Sequence, residues 1–133
     1  MGVQSFRDLR VWQSGMDLVV SVYDLTRTFP NAEMYGLSSQ LQRAAVSVPA
    51  NIAEGHTRRS LREYLHFLSI SRASLAEVET YLELVQRIEY ASPERVQPLL
   101  DLAAGVSRQL IALRDSLSMR LQEDSVPYDS SPL

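Results

Sequence analysis

Two places in this sequence group side chains that could do chemistry. The first is Glu63-Tyr64-Leu65-His66, a carboxylate and an imidazole one helical turn apart, the Glu-x-x-His spacing with which bundles hold di-iron centres. Such a centre needs a second pair, and the other histidine, His56, has Ala53 three residues before it. No metal site is therefore expected. The second place is the stretch from Ser39 to Ala76, where Arg43, Arg58, Arg59, Arg62 and Arg72 face only Glu54 and Glu63. That stretch carries +3 and leaves -6 for the rest of a chain whose total is -3. A guanidinium takes a phosphate through two parallel N–H bonds, so these five arginines are the candidate contacts to RNA, DNA or a nucleic-acid enzyme. The competing reading is a solvated face with local Arg–Glu pairs.

What is missing narrows the chemistry further. All 13 basic residues are arginine, which removes Schiff-base lysines and the phosphate-loop lysine, and there is no cysteine for disulfides, thiolate catalysis or thiolate-bound zinc. Neither a Gly-x-Ser-x-Gly elbow nor a dinucleotide fingerprint occurs. The expectation is a protein without catalytic residues or cofactor. Trp12, Tyr23 and Tyr81 read as core or interface aromatics rather than stacking platforms. The first twelve residues are polar and no apolar run reaches membrane-spanning length, so a cytoplasmic address without a membrane partner is expected by elimination.

The elements that must carry these residues are four helices. Apolar residues recur at helical spacing from Phe6 to Phe29, with Ser5 as N-cap and Phe29-Pro30 as the stop. A second helix starts between Asn31 and Ser39, presents Leu37, Leu41, Ala44, Ala45, Val48 and Ile52, and ends at Gly55 as its C′ residue. Pro49 inside it predicts a kink near Ala45 or two shorter helices. Ser60-Leu61-Arg62-Glu63 is a capping box opening the third, whose stripe is Leu61, Leu65, Leu68, Leu75, Val78, Leu82 and Val85. Ser92-Pro93 opens the fourth, with Pro98 predicting irregular first turns and Val96, Leu99, Ala103, Val106, Leu110, Leu113 and Leu117 turned inward. Short connections make consecutive helices antiparallel neighbours, so the fold class is an all-α, up-down-up-down four-helix bundle over residues 1–123, followed by a flexible tail over 124–133.

Two of the helices carry more apolar surface than one partner face covers. On helix 1, Leu9, Trp12, Met16, Val19 and Tyr23 fall within an arc of roughly 80° and are assigned to the core. Val11, Leu18, Val22, Leu25 and Phe29 lie roughly 125° away, and the first four are assigned to a subunit interface. On helix 3, Phe67, Ile70, Tyr81, Leu84 and Ile88 form a second row beside the core stripe, of which Phe67, Ile70 and Tyr81 are assigned to the same interface. Surplus apolar surface of that extent points to homo-oligomerisation; the alternative is a core that wraps wide arcs of each helix.

The stretch from Phe29-Pro30-Asn31-Ala32-Glu33-Met34-Tyr35-Gly36-Leu37 through Gln40-Leu41-Gln42-Arg43-Ala44-Ala45-Val46-Ser47-Val48-Pro49-Ala50-Asn51-Ile52-Ala53-Glu54-Gly55 is more specific than any periodicity. Together with Leu9, Val11, Trp12, Tyr23, Arg59, Glu63, Tyr64, Phe67, Leu68 and Ser74-Leu75-Ala76-Glu77-Val78-Glu79-Thr80, it resembles the bacterial four-helix bundle family first noticed as open reading frames in intervening sequences of 23S rRNA genes. The resemblance covers Phe6 to Leu121. It implies a left-turning antiparallel bundle that assembles into a ring-like homopentamer. Some relatives are accessory proteins of diversity-generating retroelement reverse transcriptases, where a basic ring binds the enzyme and nucleic acid. This chain departs from the pattern at Ala73, where relatives usually carry glycine, and in its net charge of -3, where the retroelement relatives are strongly basic.

Overall fold

In the computed structural model, which describes residues 5–125, the chain folds as four α-helices and two short 3-10 turns, with no strand among the described residues. The helices are α1 (Arg10–Thr26), α2 (Leu37–His56), α3 (Leu61–Arg87) and α4 (Pro93–Ser125). Each packs on two neighbours, α1 on α2, α2 on α3, α3 on α4 and α4 back on α1, in an antiparallel four-helix bundle. Most of the expected tail, residues 126–133, lies outside the described residues, and α4 continues two residues past the expected boundary at 123.

Helix 1 is shorter than its periodicity predicts. Ser5 does cap, its hydroxyl accepting from the Arg7 amide, but what it caps is a 3-10 turn, Phe6–Asp8. Leu9 is then extended (φ -73°, ψ 126°) and α1 starts afresh at Arg10. Phe6 folds back edge-on to Trp12 at 5.4 Å, which fixes the turn against the helix.

Helix 2 runs through Pro49 as one helix, so the alternative of two short ones is set aside. The pyrrolidine ring is buried and faces Gly15 of α1, where an added Cβ would sit 3.4 Å from the proline Cβ. Close to the proline, α3 supplies a hydroxyl that strengthens the seam: Ser71 donates to the Val48 carbonyl at 2.8 Å. Asn51 donates to the Ser47 carbonyl, also at 2.8 Å, and Ser47 and Ser74 hydroxyls meet at 2.8 Å between the helices. These small residues let α2 and α3 approach closely.

Gly55 is not the left-handed cap that its position suggests. It is a buried helical residue with negative φ, and an added Cβ would lie 2.9 Å from Phe67 Cβ and 3.0 Å from Tyr64 Cδ1. Contact, not backbone conformation, demands glycine there. The left-handed cap occurs instead at Glu89 (φ 63°), after α3. The Tyr90 amide bonds the Val85 carbonyl at 3.0 Å and the Glu89 amide bonds that of Gln86 at 3.1 Å, which is the Schellman pattern. Ser60 caps α3 through the Glu63 amide, and α4 begins at Pro93 and passes through Pro98 without interruption.

The core is one cluster. Leu41, Ala45, Val48 and Ile52 of α2, Leu68, Leu75, Val78, Leu82 and Val85 of α3, and Val96, Ala103, Val106 and Leu110 of α4 are all buried, as their stripes predict. Helix 1 reverses the expectation. Val11, Leu18, Val22, Leu25 and Phe29 are the buried row, with Leu18 and Val22 wholly inaccessible, while Met16 and Tyr23 of the other row are exposed.

Candidate assembly face and nucleic-acid interface

The reversal on α1 corrects the interface assignment. Val11, Leu18, Val22 and Leu25 fill the chain's own core and offer a second copy nothing to touch. Their arc is inner because it includes Gly15, against Pro49, and Thr26, whose hydroxyl accepts from Gln42 Nε2 at 2.9 Å, so it is the arc that meets α2. What α1 leaves on the surface is Met16 (39% exposed), Val20 (59%) and Tyr23 (40%), with Trp12 and Val19 half-buried beside them. Val46 of α2 adjoins Tyr23 across a shallow depression that also involves Ser39, Gln42 and Arg43.

On α3 the second row is half used. Phe67 packs on the α2–α3 corner under Arg58, whose guanidinium carbon lies 4.7 Å from the ring centre, and Tyr81 donates its hydroxyl to Gln40 Oε1 at 2.9 Å. Both rings and Ile70 stay half-buried, and Leu84 and Ile88 are exposed. Met34 and Tyr35, at the turn between α1 and α2, are also exposed, Tyr35 at 92%.

The five arginines do not form one patch. Arg58, Arg59 and Arg62 gather at the corner where α2 passes into α3. Arg120 of α4 acts electrostatically on Tyr64 at the same end, opposing the rise that burial gives the phenol pKa. Arg43 stands about 22 Å along α2 from that corner, at 1.5 Å per residue. Arg72 lies on the far side of α3, sharing a groove with Arg114 of α4. Arg58 is committed: it pairs with Glu54 at 2.6 Å as well as covering Phe67. Arg59, Arg62 and Arg72 are exposed and make no hydrogen bond or ion pair within the described residues. Sequence reasoning missed Arg114 and Arg120, because the signal is spatial: α4 returns antiparallel to α3 and sets its last turns against the first turns of α3.

The other end is mixed in charge, with Asp24, Glu33, Glu89 and Glu94 beside Arg27, Arg87 and Arg95. Glu33 accepts the Tyr90 hydroxyl at 2.8 Å and the Leu37 amide at 3.3 Å, tying the α1–α2 connection to the α3–α4 connection. Glu63 and His66 are exposed on α3, and no group of three or more histidine, aspartate or glutamate side chains capable of holding a metal is gathered among the described residues. His66 and His56 sit edge-on to Phe67 and Tyr64, at 5.6 and 5.9 Å. No helix among the described residues is long and apolar enough to cross a membrane.

An antiparallel bundle with an exposed apolar row and an arginine-rich corner defines the class: an all-α four-helix bundle protein. The model of the 23S rRNA-intervening sequence protein family matches residues 7–112, and the chain belongs to that family. A crystal structure of a protein of unknown function from the S23 ribosomal protein family of Bacteroides thetaiotaomicron shares the fold, with a TM-score of 0.73 at 24% identity over 78% of this chain and 97% of the other. None of the curated proteins matches the chain.

Proposed function

We propose that the protein is a non-enzymatic homo-oligomer, a ring-shaped pentamer as the family resemblance implies, that works as an adaptor for nucleic acid or a nucleic-acid enzyme such as a reverse transcriptase. The observation that carries self-association is the exposed row Met16, Val20 and Tyr23 with Val46 beside it. Leu84 and Ile88 supply a different apolar patch on α3. Two unlike patches on one chain favour a head-to-tail contact, which closes into a ring when the rotation allows. Burying such surface is worth about 25 cal/mol per Å². Sedimentation at micromolar concentration tests this; a strictly monomeric species sinks it.

Support for a phosphate partner comes from the unpartnered Arg59 and Arg62 at the basic corner, which symmetry repeats once per subunit. Filter binding of RNA at low and moderate salt is the test, and binding insensitive to salt contradicts it. A purely structural oligomer is the second reading, favoured by Arg58 being occupied by Glu54 and Phe67. Loss of binding in Arg58→Ala with Arg59→Ala, at unchanged assembly, argues for the adaptor.

A further inference from the structure

Both exposed apolar rows adjoin α2, from opposite sides. On α1, Tyr23 shares one depression with Val46 and Arg43 of α2 and a second with Arg27 and Met34, so the row Met16, Val20 and Tyr23 continues to the α1–α2 connection. On α3, Glu77 and Tyr81 border Gln40 and Arg43 of α2, and Leu84 and Ile88 extend that row. Helix 4 lines none of these depressions. The two rows differ in charge. The α1 row ends in Arg27, held only by an exposed pair with Asp24, whereas the α3 row carries Glu77, exposed and without an ion pair or hydrogen bond among the described residues. Bonds across the seams set their levels. Thr26 meets Gln42, Gln40 meets Tyr81 and Ser47 meets Ser74, so Tyr23 and Arg27 stand within about one turn of Glu77 along the bundle. The Glu33–Tyr90 bond likewise brings Met34 to the level of Ile88.

We infer that α1 of one subunit packs on α3 of the next at a common level, with Arg27 facing Glu77 of the partner subunit and Met34 facing Ile88 of the partner subunit, and that α2 is thereby turned toward the axis of the assembly. This rests on the self-association reading above and adds which faces meet and which helix lies inside. The occupant of each face is a second copy because each supplies what the other lacks: an apolar row with a cation, and an apolar row with a carboxylate, at matching heights. Pairing α1 with α1, or α3 with α3, would leave both charges unanswered. The orientation follows from the placement of the faces. Two adjoining faces, each covered by a neighbour, converge on the edge they share, and when the rotation closes a ring that edge points at the axis. The shared edge is α2, so its exposed Arg43 and Ala50 line the central opening and α4 forms the outer wall.

The test is sedimentation velocity of a charge-exchange set, joined to spin-label distances, in the full chain. Arg27→Glu and Glu77→Arg should each raise the concentration needed for assembly about tenfold or more with helicity unchanged, and the two changes in one chain should restore it. The chain has no cysteine, so Ala50→Cys on α2 and Ala112→Cys on α4, both at exposed positions, each take a single nitroxide. Distances between subunits should be shorter from Ala50→Cys than from Ala112→Cys. Single exchanges that assemble as the parent does, a double exchange that fails to restore assembly, or shorter distances from Ala112→Cys overturn the inference. If the parent itself is monomeric at micromolar concentration, the self-association reading fails with it; if the parent assembles and any of those three results is found, the pairing of faces alone is refuted.

Discussion

Replacing one residue on each row of α1 separates a core side chain from one that the proposed assembly would cover. Leu18 is wholly buried and Val20 is 59% exposed. Leu18→Ala removes buried carbons and leaves a cavity walled by neighbouring helices, a change that costs about 3 kcal/mol at such sites. For a chain of this length that lowers Tm by about 10 °C. Val20→Ser removes a methyl pair that already faces water, so within one subunit it costs less than about 0.5 kcal/mol. On the proposed assembly its effect would depend on concentration, because association would stabilise the folded subunit by mass action. Urea unfolding at two protein concentrations, with sedimentation velocity alongside, distinguishes them. Leu18→Ala should lose the same stability at both concentrations. Val20→Ser should match the parent when dilute and fall behind when concentrated. If instead Leu18→Ala stays within about 1 kcal/mol of the parent and becomes monomeric, the inner and outer rows of α1 have been taken the wrong way round.

The helical glycines give predictions of opposite sign. Gly55→Ala should destabilise by about 1–2 kcal/mol, since its Cβ would lie 2.9 Å from Phe67 Cβ and outweigh the helix-propensity gain. Gly105→Ala should stabilise by up to about 1 kcal/mol, its Cβ meeting only the tip of Arg108 at 3.7 Å; thermal melts of the two variants read both signs. Glu89→Gly should also stabilise, by about 1 kcal/mol, because Glu89 holds a positive φ in the α3 cap, and a melt showing loss would contradict the strain argument. Tyr90 is raised in pKa by its hydrogen bond to Glu33, and Tyr64 by burial, which Arg120 partly offsets. Both folded values lie above the unfolded one near 10, so stability should be level below about pH 10 and fall as pH rises through the folded values. Absorbance of phenolate against pH, read with urea midpoints, checks it.

Much of the bundle is legible before any coordinates because its helices repeat one pattern. The stripes of α2, α3 and α4 are buried except for Leu37, Leu61, Leu65 and Leu113, which are half-buried at the helix ends and edges, and Ser60 and Ser92-Pro93 mark starts correctly. Helix 1 has two apolar rows, and a wheel alone cannot say which is inner. The discriminating residue is Gly15: its lack of a side chain, in the arc of Leu18 and Val22, marks where another backbone presses close. The second misreading, at Gly55, has the same root. Glycine serves either a backbone angle or a contact, and only the position of Tyr64 and Phe67 shows that here it is contact. The candidate site was half legible. Arg58, Arg59 and Arg62 are adjacent in sequence and stay together, whereas the pairing of Arg72 with Arg114 exists only because α3 and α4 pack side by side.

The net charge of -3 looks like an obstacle to phosphate binding, but the fold changes what that number means. The Glu33–Tyr90 bond places the α1–α2 and α3–α4 connections, with Glu33 and Glu89, at one end of the bundle. Arg120 beside Tyr64 brings the last turns of α4 to the other end, with Arg58, Arg59 and Arg62. The 20 residues of α2 run between the two ends, a span of about 30 Å. Screening at physiological ionic strength has a length of about 8 Å, so a phosphate at the basic end is nearly blind to Glu33, Glu89 and Glu94. Association of parallel subunits would gather the basic ends on one rim while the total grows more negative. The quantity that would decide the proposed nucleic-acid binding is therefore local. Reversing Arg59 and Arg62 to glutamate should abolish binding, whereas reversing Glu89 and Glu94 to arginine, a larger gain in total charge than the arginines supply, should barely raise it at physiological salt. A strong rise from the distant pair, measured by the same filter-binding titration, would show that total charge and not its placement governs the interaction.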